Sequence, residues 1–578
     1  MGRFTNAAGL ASAILQAVSA QSTNGTGVVC PPSAKFSPIS AGAFFEKINP
    51  GWNVGNTLDA IETEGSWNNP PVVGSTFDDI KKAGFKGIRL PVTWAYHFTS
   101  QSPDWKVDEK WLQRVSDVVD MITDRGFYTI VNVHHDSWTW ADLTKSDTNV
   151  TAVEERLGKL WYQIGVKLAC KGEKVAFETI NEIPGTTPEH GKIINKLNNI
   201  FLQAINDAGG HNAQRVVTLV GAGEDGPKTS LWFEKPDAKF KNPWGIQYHY
   251  YSPYDFIFGA WGKTTWGSDA DKAALEADIA AVRGNFTDIP LIIGEWAASV
   301  THTETAARWR YFDFFLRTAA KYNTSTILWD NGADFLNRAT HQWRDTVAES
   351  IYRTAVKGIP NALPDSTTDG ATKQQSSAYI YHKKSTNVTD VTLPFHFNGN
   401  TLQKIALATS NKTLKKGQDY TVAGETITFS ATFLATILTP SSPTGPLANL
   451  TLTFSRGTPL NVNILQYSLP TLFTTSAALP PPSTDLHIPI TWAGQNRPAA
   501  IKAVKSDGGF LVDDWTQYLP ALQQGRITYG GQWDWDGEGV VLRAAVLDAV
   551  RAAGKTTVFT VEFYPREEGN SVEFRVVV

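Results

Sequence analysis

The chain has 578 residues, of which 42% are hydrophobic and 19% charged, and its formal net charge is −4. Without a long Lys/Arg block it lacks the concentrated basic surface that nucleic-acid phosphates need, and two cysteines exclude a disulfide scaffold and a four-thiolate zinc site. No apolar run reaches the ~18 residues of a membrane-spanning helix, so neither nucleic acid nor membrane is expected as partner; 20 Trp and 17 Tyr suit a neutral, ring-shaped ligand.

Residues 1–20, MGRFTNAAGLASAILQAVSA, carry one early Arg, a weakly apolar stretch and small residues up to Ala20. That layout predicts a secretory leader cleaved after Ala20, and hence an extracellular protein. Asn-x-Ser/Thr acceptors stand at Asn24, Asn149, Asn285, Asn323, Asn387, Asn411 and Asn449; they matter only in a glycosylating secretory pathway. In an oxidising compartment Cys30 can pair with Cys170 and tie a tail, 21–43, to the domain behind it.

From 44 to 357 strand-like and helix-like segments alternate. The apolar runs fall at 51–58, 85–92, 128–135, 175–182, 215–221, 245–251, 290–296 and 325–331, and amphipathic stretches at 110–125, 154–170, 191–208, 269–284 and 303–321. Eight strands separated by helices predict a (β/α)₈ TIM barrel, an α/β fold. A doubly wound sheet is the rival, but no Gly-rich phosphate loop follows the first strand. Residues 358–377 read as a polar linker. From 378 to 476 the period falls to two, as in DYTVAGETITF, with glycines between runs: a β-sandwich. A Pro-rich spacer at 477–484 leads to a second strand-rich unit, 485–578. The architecture expected is therefore a barrel followed by two small all-β, immunoglobulin-like sandwiches.

Barrel sites form at the C-terminal ends of the strands. There the sequence places Arg89, His134, His135, Asn181, Glu182, His249, Tyr251, Glu295 and Trp329. Polar groups so close to apolar strand bodies need partners, because burying them unpaired is costly. Glu182 and Glu295 have the chemistry of a carboxyl pair that cleaves a glycosidic bond, one giving a proton and the other attacking or activating water. Asn181 is placed to hold a sugar hydroxyl; Arg89 and Tyr251 are placed to keep Glu295 ionised and aimed. His134-His135-Asp136 has metal-ligand types, but neighbouring strand positions face opposite ways, and no third ligand follows at a familiar spacing. One histidine, His134 first and His135 second, is expected to face the site, with no metal or other cofactor. Trp329 is expected as the floor of the cleavage subsite, and Trp94, Trp138, Trp140, Trp261 and Trp266 as rim residues with core packing as the alternative for each.

The motifs GWNVGNTLDA, GIRLPVTW, VNVHHD, TINEIP, HYY, IGEW and LWDN, in this order across all eight strands, resemble glycoside hydrolase family 5, particularly its subfamily 4-like endoglucanases and xyloglucanases. The resemblance implies a retaining double displacement with Glu182 as acid/base and Glu295 as nucleophile. It also implies supporting roles for Arg89, His134, Asn181, His249, Tyr251 and Trp329, and places Asn53 toward the non-reducing-end subsites. Residues 378–476 are similar to the immunoglobulin-like X2 module, though ILTPSSPTGPLAN departs from its usual compact hairpin. Residues 485–578 are similar to carbohydrate-binding module family 46, in which the module can complete the cleft for branched substrates; Trp515, Trp533 and Trp535 are its candidate binding residues. The function expected is a secreted, monomeric retaining endo-β-1,4-glucanase acting on xyloglucan, mixed-linkage glucan or amorphous cellulose, with its carboxyl groups about 5–5.5 Å apart. A mannanase or other β-glycanase on the same barrel is the alternative, and a non-catalytic polysaccharide-binding protein the remaining one.

Overall fold

A computed structural model describes residues 27–367 and 370–578. The expected secretory leader and the Asn24 acceptor lie outside the described residues. Eight parallel strands close a barrel in sequence order: β1 (Gly51–Asn53), β2 (Gly87–Leu90), β3 (Tyr128–Val131), β4 (Val175–Glu178), β5 (Val217–Asp225), β6 (Trp244–His249), β7 (Leu291–Glu295) and β8 (Thr324–Leu328). All eight strands stand where the apolar runs predict them, and the sheet is a closed barrel, not the doubly wound rival. Most are shorter than those runs, because the motif residues after Asn53, Leu90, Val131 and Glu178 belong to the loops above the barrel.

The helices around the barrel begin at side-chain caps that satisfy free N–H groups. Asp108 caps Glu109–Thr123 and Asn149 caps Val150–Leu168, while Ser268 and Asp271 form a capping box at the start of Asp269–Asn285. Helix Ala41–Ile48 plugs the N-terminal end of the barrel: Phe44, Phe45 and Ile48 pack on Ile130, Ala176, Val216, Ile292 and Ile327. With that end filled, only the C-terminal end is left to open to solvent. Cys30 and Cys170 form a disulfide that fastens the segment before this helix to the outside of the barrel, and the tail also bridges to Gly209 through Val28.

Two sandwiches follow, each of two four-stranded sheets. In the first, period-two burial sends Ile405, Ile427, Leu450, Leu452, Val462 and Ile464 inward. The expected linker at 358–377 is in part built into this unit: Leu363–Pro364 pairs with Phe395 and His396, and Arg310 on the barrel forms an ion pair with Asp365 at 3.3 Å. The expected spacer at 477–484 is likewise no free hinge. Thr471–Leu472 and Ser476–Ala478 already pair with strands of the last sandwich, so the prolines form a loop inside that unit. Helix Ala544–Ala553 covers the last sandwich, whose core contains Ile501, Val540, Leu542, Phe559 and Phe574.

The last sandwich also docks on the barrel. Arg566 donates to the Gly262 carbonyl at 2.9 Å, Arg497 to the Val300 carbonyl at 2.7 Å, and Trp261 to Asp513 at 2.9 Å. The acceptors and donors on the barrel side all lie in the loops after β6 and β7, so this unit stands beside the open end.

The disulfide spans 140 residues of sequence. Replacing both cysteines by Ser is expected to cost about 2–4 kcal/mol, read as a lower Tm, while turnover at 25 °C stays within twofold of the parent because no cysteine approaches the open end.

Candidate active site

Arg89, on β2, is the hub of the open end. It is fully buried, and all five of its N–H donors are used. Nε and Nη2 grip Glu178 in a fork with both bonds at 2.7 Å; Nη2 also donates to Asn181 Oδ1 at 2.8 Å. Nη1 donates to Asn53 Oδ1 at 2.9 Å and to Glu295 Oε1 at 2.6 Å. Burial works against the guanidinium charge, but Glu178 and Glu295 hold its pKa well above the ordinary value. The same contact holds Glu178 below the usual carboxylate range despite its burial. Backbone register explains the convergence: Asn53 lies opposite Arg89 in the β1–β2 ladder, and Glu178 and Glu295 end β4 and β7.

Glu295 is held from two sides, with the Tyr251 hydroxyl donating to Oε2 at 3.0 Å. Burial pushes its carboxyl up, against the pull of His249 and Arg89. Glu182 reaches the same space from the loop after β4 and is more open, its side chain 26% exposed against 7% for Glu295. Its Oε1 lies 2.7 Å from His249 Nδ1. Burial opposes the charge on Glu182, but the hydrogen bond and charge of His249 bring its carboxyl below the usual range. Oxygens of Glu182 and Glu295 and a nitrogen of His249 all lie within 4.8 Å of one another.

His134 accepts from Asn132 Nδ2 at Nδ1 (2.9 Å), which leaves Nε2 to carry the proton. Burial keeps the ring neutral, its pKa well below the ordinary histidine value. The expectation that only one of the two histidines faces the site is overturned: His134 and His135 both line the cleft. β3 ends at Val131, so both lie beyond the pleat and the alternation rule does not reach them. No third ligand follows at a familiar spacing in sequence, but in space Asp59 stands 3.5 Å from His135. Single ligating atoms of Asp59, His134 and His135 lie within 4.8 Å of one another, as do those of Glu182, His249 and Glu295. Asp59 already accepts the N–H groups of Asn56 and Thr57, however, so these contacts hold the β1 and β3 loops together. Asp136 is wholly buried and accepts from Trp94 N–H and Trp140 Nε1, both at 2.7 Å, as a brace for the β3 loop.

The cleft above these groups has a volume of about 690 Å³. Trp329 forms one wall, its indole parallel to the His134 ring at 5.7 Å. Gly55 seats it, since a Cβ there would lie 2.7 Å from the ring. Trp138 also lines the cleft and is 47% exposed. Tyr254 and Phe258 line the far side, and Thr528, Tyr529, Gly530 and Gly531 of the last sandwich close it. Trp261 and Trp515 meet edge to face at 4.8 Å across the junction of barrel and sandwich, beside Tyr254.

Several expected binding residues lie elsewhere. Trp94 is fully buried and donates to the Asn132 carbonyl, and Trp266 is buried against Tyr311. Trp140 turns away from the cleft toward Arg156, 4.6 Å from its ring, because Asp136 holds its N–H. Asn53 is fully buried and spends its amide on the Gly294 and Leu328 carbonyls, so it aims Arg89 and faces no subsite. Trp533 is a core residue of the last sandwich, and Trp535 lies on that unit's other side, in a cavity with Tyr379 and Leu465.

Sequence reasoning missed Glu178, Glu224, Asn132 and Asp59. Glu178 carried a signal, as a charge inside an apolar strand body. Glu224 carried none, since the apolar run stops at Gly221, short of the end of β5 at Asp225.

Comparison with known proteins agrees with this geometry. Residues 51–335 match the model of the cellulase family, glycosyl hydrolase family 5, and residues 374–464 that of carbohydrate binding domain X2. Endoglucanase B of Paenibacillus lautus is 30% identical over 540 residues, which cover 89% of this chain and 90% of the relative. A tri-modular subfamily 4 endo-β-1,4-glucanase from Bacillus licheniformis, solved with cellotetraose, is 35% identical; the match covers 93% of this chain and 99% of that one, with a TM-score of 0.82. A broad-specificity endoglucanase of Clostridium acetobutylicum is 27% identical, with a TM-score of 0.51, over 55% of this chain and 99% of its own.

Arg89→Met leaves Glu178 buried and unpaired. The expected cost is about 3–5 kcal/mol in urea denaturation, with turnover lost at temperatures where the variant is still folded.

Proposed function

The chain belongs to glycosyl hydrolase family 5 and is an endo-β-1,4-glucanase, and from this premise we propose that it cleaves glucan by a retaining double displacement with Glu295 as nucleophile and Glu182 as acid/base. The observation that carries the reading is the separation of the two carboxylates, with oxygens within 4.8 Å of each other. That spacing supports direct attack, because an inverting pair stands about 6.5–9.5 Å apart to admit a water.

A glucan chain lies in the cleft with one ring against Trp329. Asn181 spends its carbonyl on Arg89 and so turns its NH₂ to a sugar hydroxyl, while His134 offers Nε2–H to another. Glu295, aimed by Arg89 and Tyr251, attacks the anomeric carbon. In the free enzyme the lowered Glu182 carboxyl and the raised His249 imidazole favour the proton of their 2.7 Å bond on the imidazole side. Substrate expels water, which disfavours that ion pair and returns the proton to Glu182. Glu182 passes it to the leaving oxygen as the C–O bond breaks and a glycosyl ester forms on Glu295. It then takes a proton from the water that attacks the same carbon and frees Glu295.

The substrate range proposed is broad within β-1,4-glucans and includes xyloglucan and mixed-linkage glucan. Support comes from the free space along the cleft wall at Gly530 and Gly531, where a Cβ would meet nothing within 4 Å, and from the broad specificity stated for the Clostridium acetobutylicum relative. We read the last sandwich as a family 46-like binding unit whose loop at 528–531 and Trp515 extend the cleft. The Cys30–Cys170 disulfide and the exposed acceptors Asn149, Asn285, Asn323, Asn387 and Asn411 support a secreted, extracellular protein.

Proton NMR of the earliest products tests the mechanism: the β-anomer should appear first, and an α-anomer would contradict it. Glu295→Gln should bind glucan within a few-fold of the parent and lose turnover. Trp515→Ala should raise KM on xyloglucan about tenfold, the worth of roughly 1–1.5 kcal/mol of aromatic contact, and change hydrolysis of short unbranched oligomers much less.

A further inference from the structure

Glu224 takes no part in the steps above, yet it touches both ends of the group that performs them. It is wholly buried, one residue before the end of β5, with its backbone in the left-handed region at φ 48°. Its Oε2 accepts the backbone N–H of Glu182 at 2.9 Å and lies 3.2 Å from His249 Nε2. Its Oε1 accepts from Gln247 at 2.9 Å. Glu182 itself has φ 39°, a left-handed conformation that a residue with a side chain holds only when its surroundings impose it.

We propose that Glu224 is a positioning residue for the proton-transfer step: it pins the left-handed backbone of Glu182 and the orientation and charge of His249, and so sets where, and up to what pH, Glu182 delivers its proton. The inference rests on the reading of Glu182 as acid/base.

The charges around the two groups give the sign of the effect. Arg89 faces them from β2, Glu178 from β4, His249 from β6 and Glu295 from β7; Tyr251, His134 and His135 complete the titratable ring. Burial pushes Glu224 up to about 8, helped by Glu178 and opposed by His249 and Arg89. Burial works against a charge on His249, but Glu224, Glu295 and Glu182 lift it to about 9. Above about pH 8 Glu224 is a carboxylate, and there its charge makes the Glu182–His249 pair keep its proton to higher pH. Removing that negative charge moves the alkaline limb of the activity profile toward acid.

The test uses the full chain with Glu224→Gln, which keeps the size and the Gln247 contact, and Glu182→Gln as reference. kcat/KM is measured from pH 4 to 10 on soluble glucan and on a cellobioside whose dinitrophenolate leaving group needs no proton. Glu224→Gln should lower kcat/KM on glucan about tenfold or more, shift the alkaline limb down by about one pH unit, and leave the dinitrophenyl substrate within about threefold of the parent. Equal losses on both substrates with an unmoved limb would overturn the proposal and leave Glu224 a structural residue; parent-like behaviour on both would overturn it as well. If Glu182→Gln lacks the leaving-group dependence, the acid/base reading falls first. Should Glu224→Gln fold poorly, Glu224→Asp retains the charge and must then keep the parent's alkaline limb at reduced kcat; a shifted limb in that variant would contradict the proposal.

Discussion

Everything at the open end depends on one buried guanidinium. Arg89 has five donors and no solvent, so each donor must meet an acceptor from the protein or leave a costly orphan. The acceptors come from β1, β4, the loop after β4, and β7, and satisfying them all fixes the positions of Asn53, Glu178, Asn181 and Glu295 at once. A lysine has three donors and no planar fork, and it cannot do this. Glu178 gives the hub its counter-charge, which lets Arg89 stay charged next to Glu295 without an uncompensated charge in the core. The carboxylates that face the cleft are therefore placed by groups beneath it.

The fold was largely legible because the barrel strands are short, apolar and separated by amphipathic helices, a pattern few architectures share. What the sequence hid was the layer below the surface of the site. The alternation rule misassigned His135 because the strand stops at Val131, four residues earlier. Tryptophans at presumed rim positions split by what captures their N–H: Asn132 takes Trp94 and Asp136 takes Trp140, while Trp138 is left in the cleft. Such captures join residues far apart in the chain or across a loop whose path a linear pattern does not give. Glu224 was invisible for the related reason that the apolar run stops at Gly221, whereas the strand goes on to Asp225.

The segments expected as linker and spacer are partly built into the accessory units. Leu363–Pro364 and Ser476–Ala478 are strands, and Arg566, Arg497 and Trp261 tie the last sandwich to the loops after β6 and β7. One side of the cleft is then built by residues 528–531, more than 200 positions beyond Glu295 in the sequence. The barrel provides the charge network and the sandwich provides part of the wall, which separates the chemistry from the selection of the chain to be cut.

If the Arg89 network presents Glu295 as the attacking group, the glycosyl intermediate can be trapped on that residue. A 2-deoxy-2-fluoro-cellobioside with a dinitrophenolate leaving group should inactivate the protein with one equivalent of label, and mass spectrometry of the digested protein should place the added sugar on the peptide containing Glu295. Labelling of Glu182 or another residue, or steady turnover of the reagent with inverted product and no adduct, would contradict that role for Glu295.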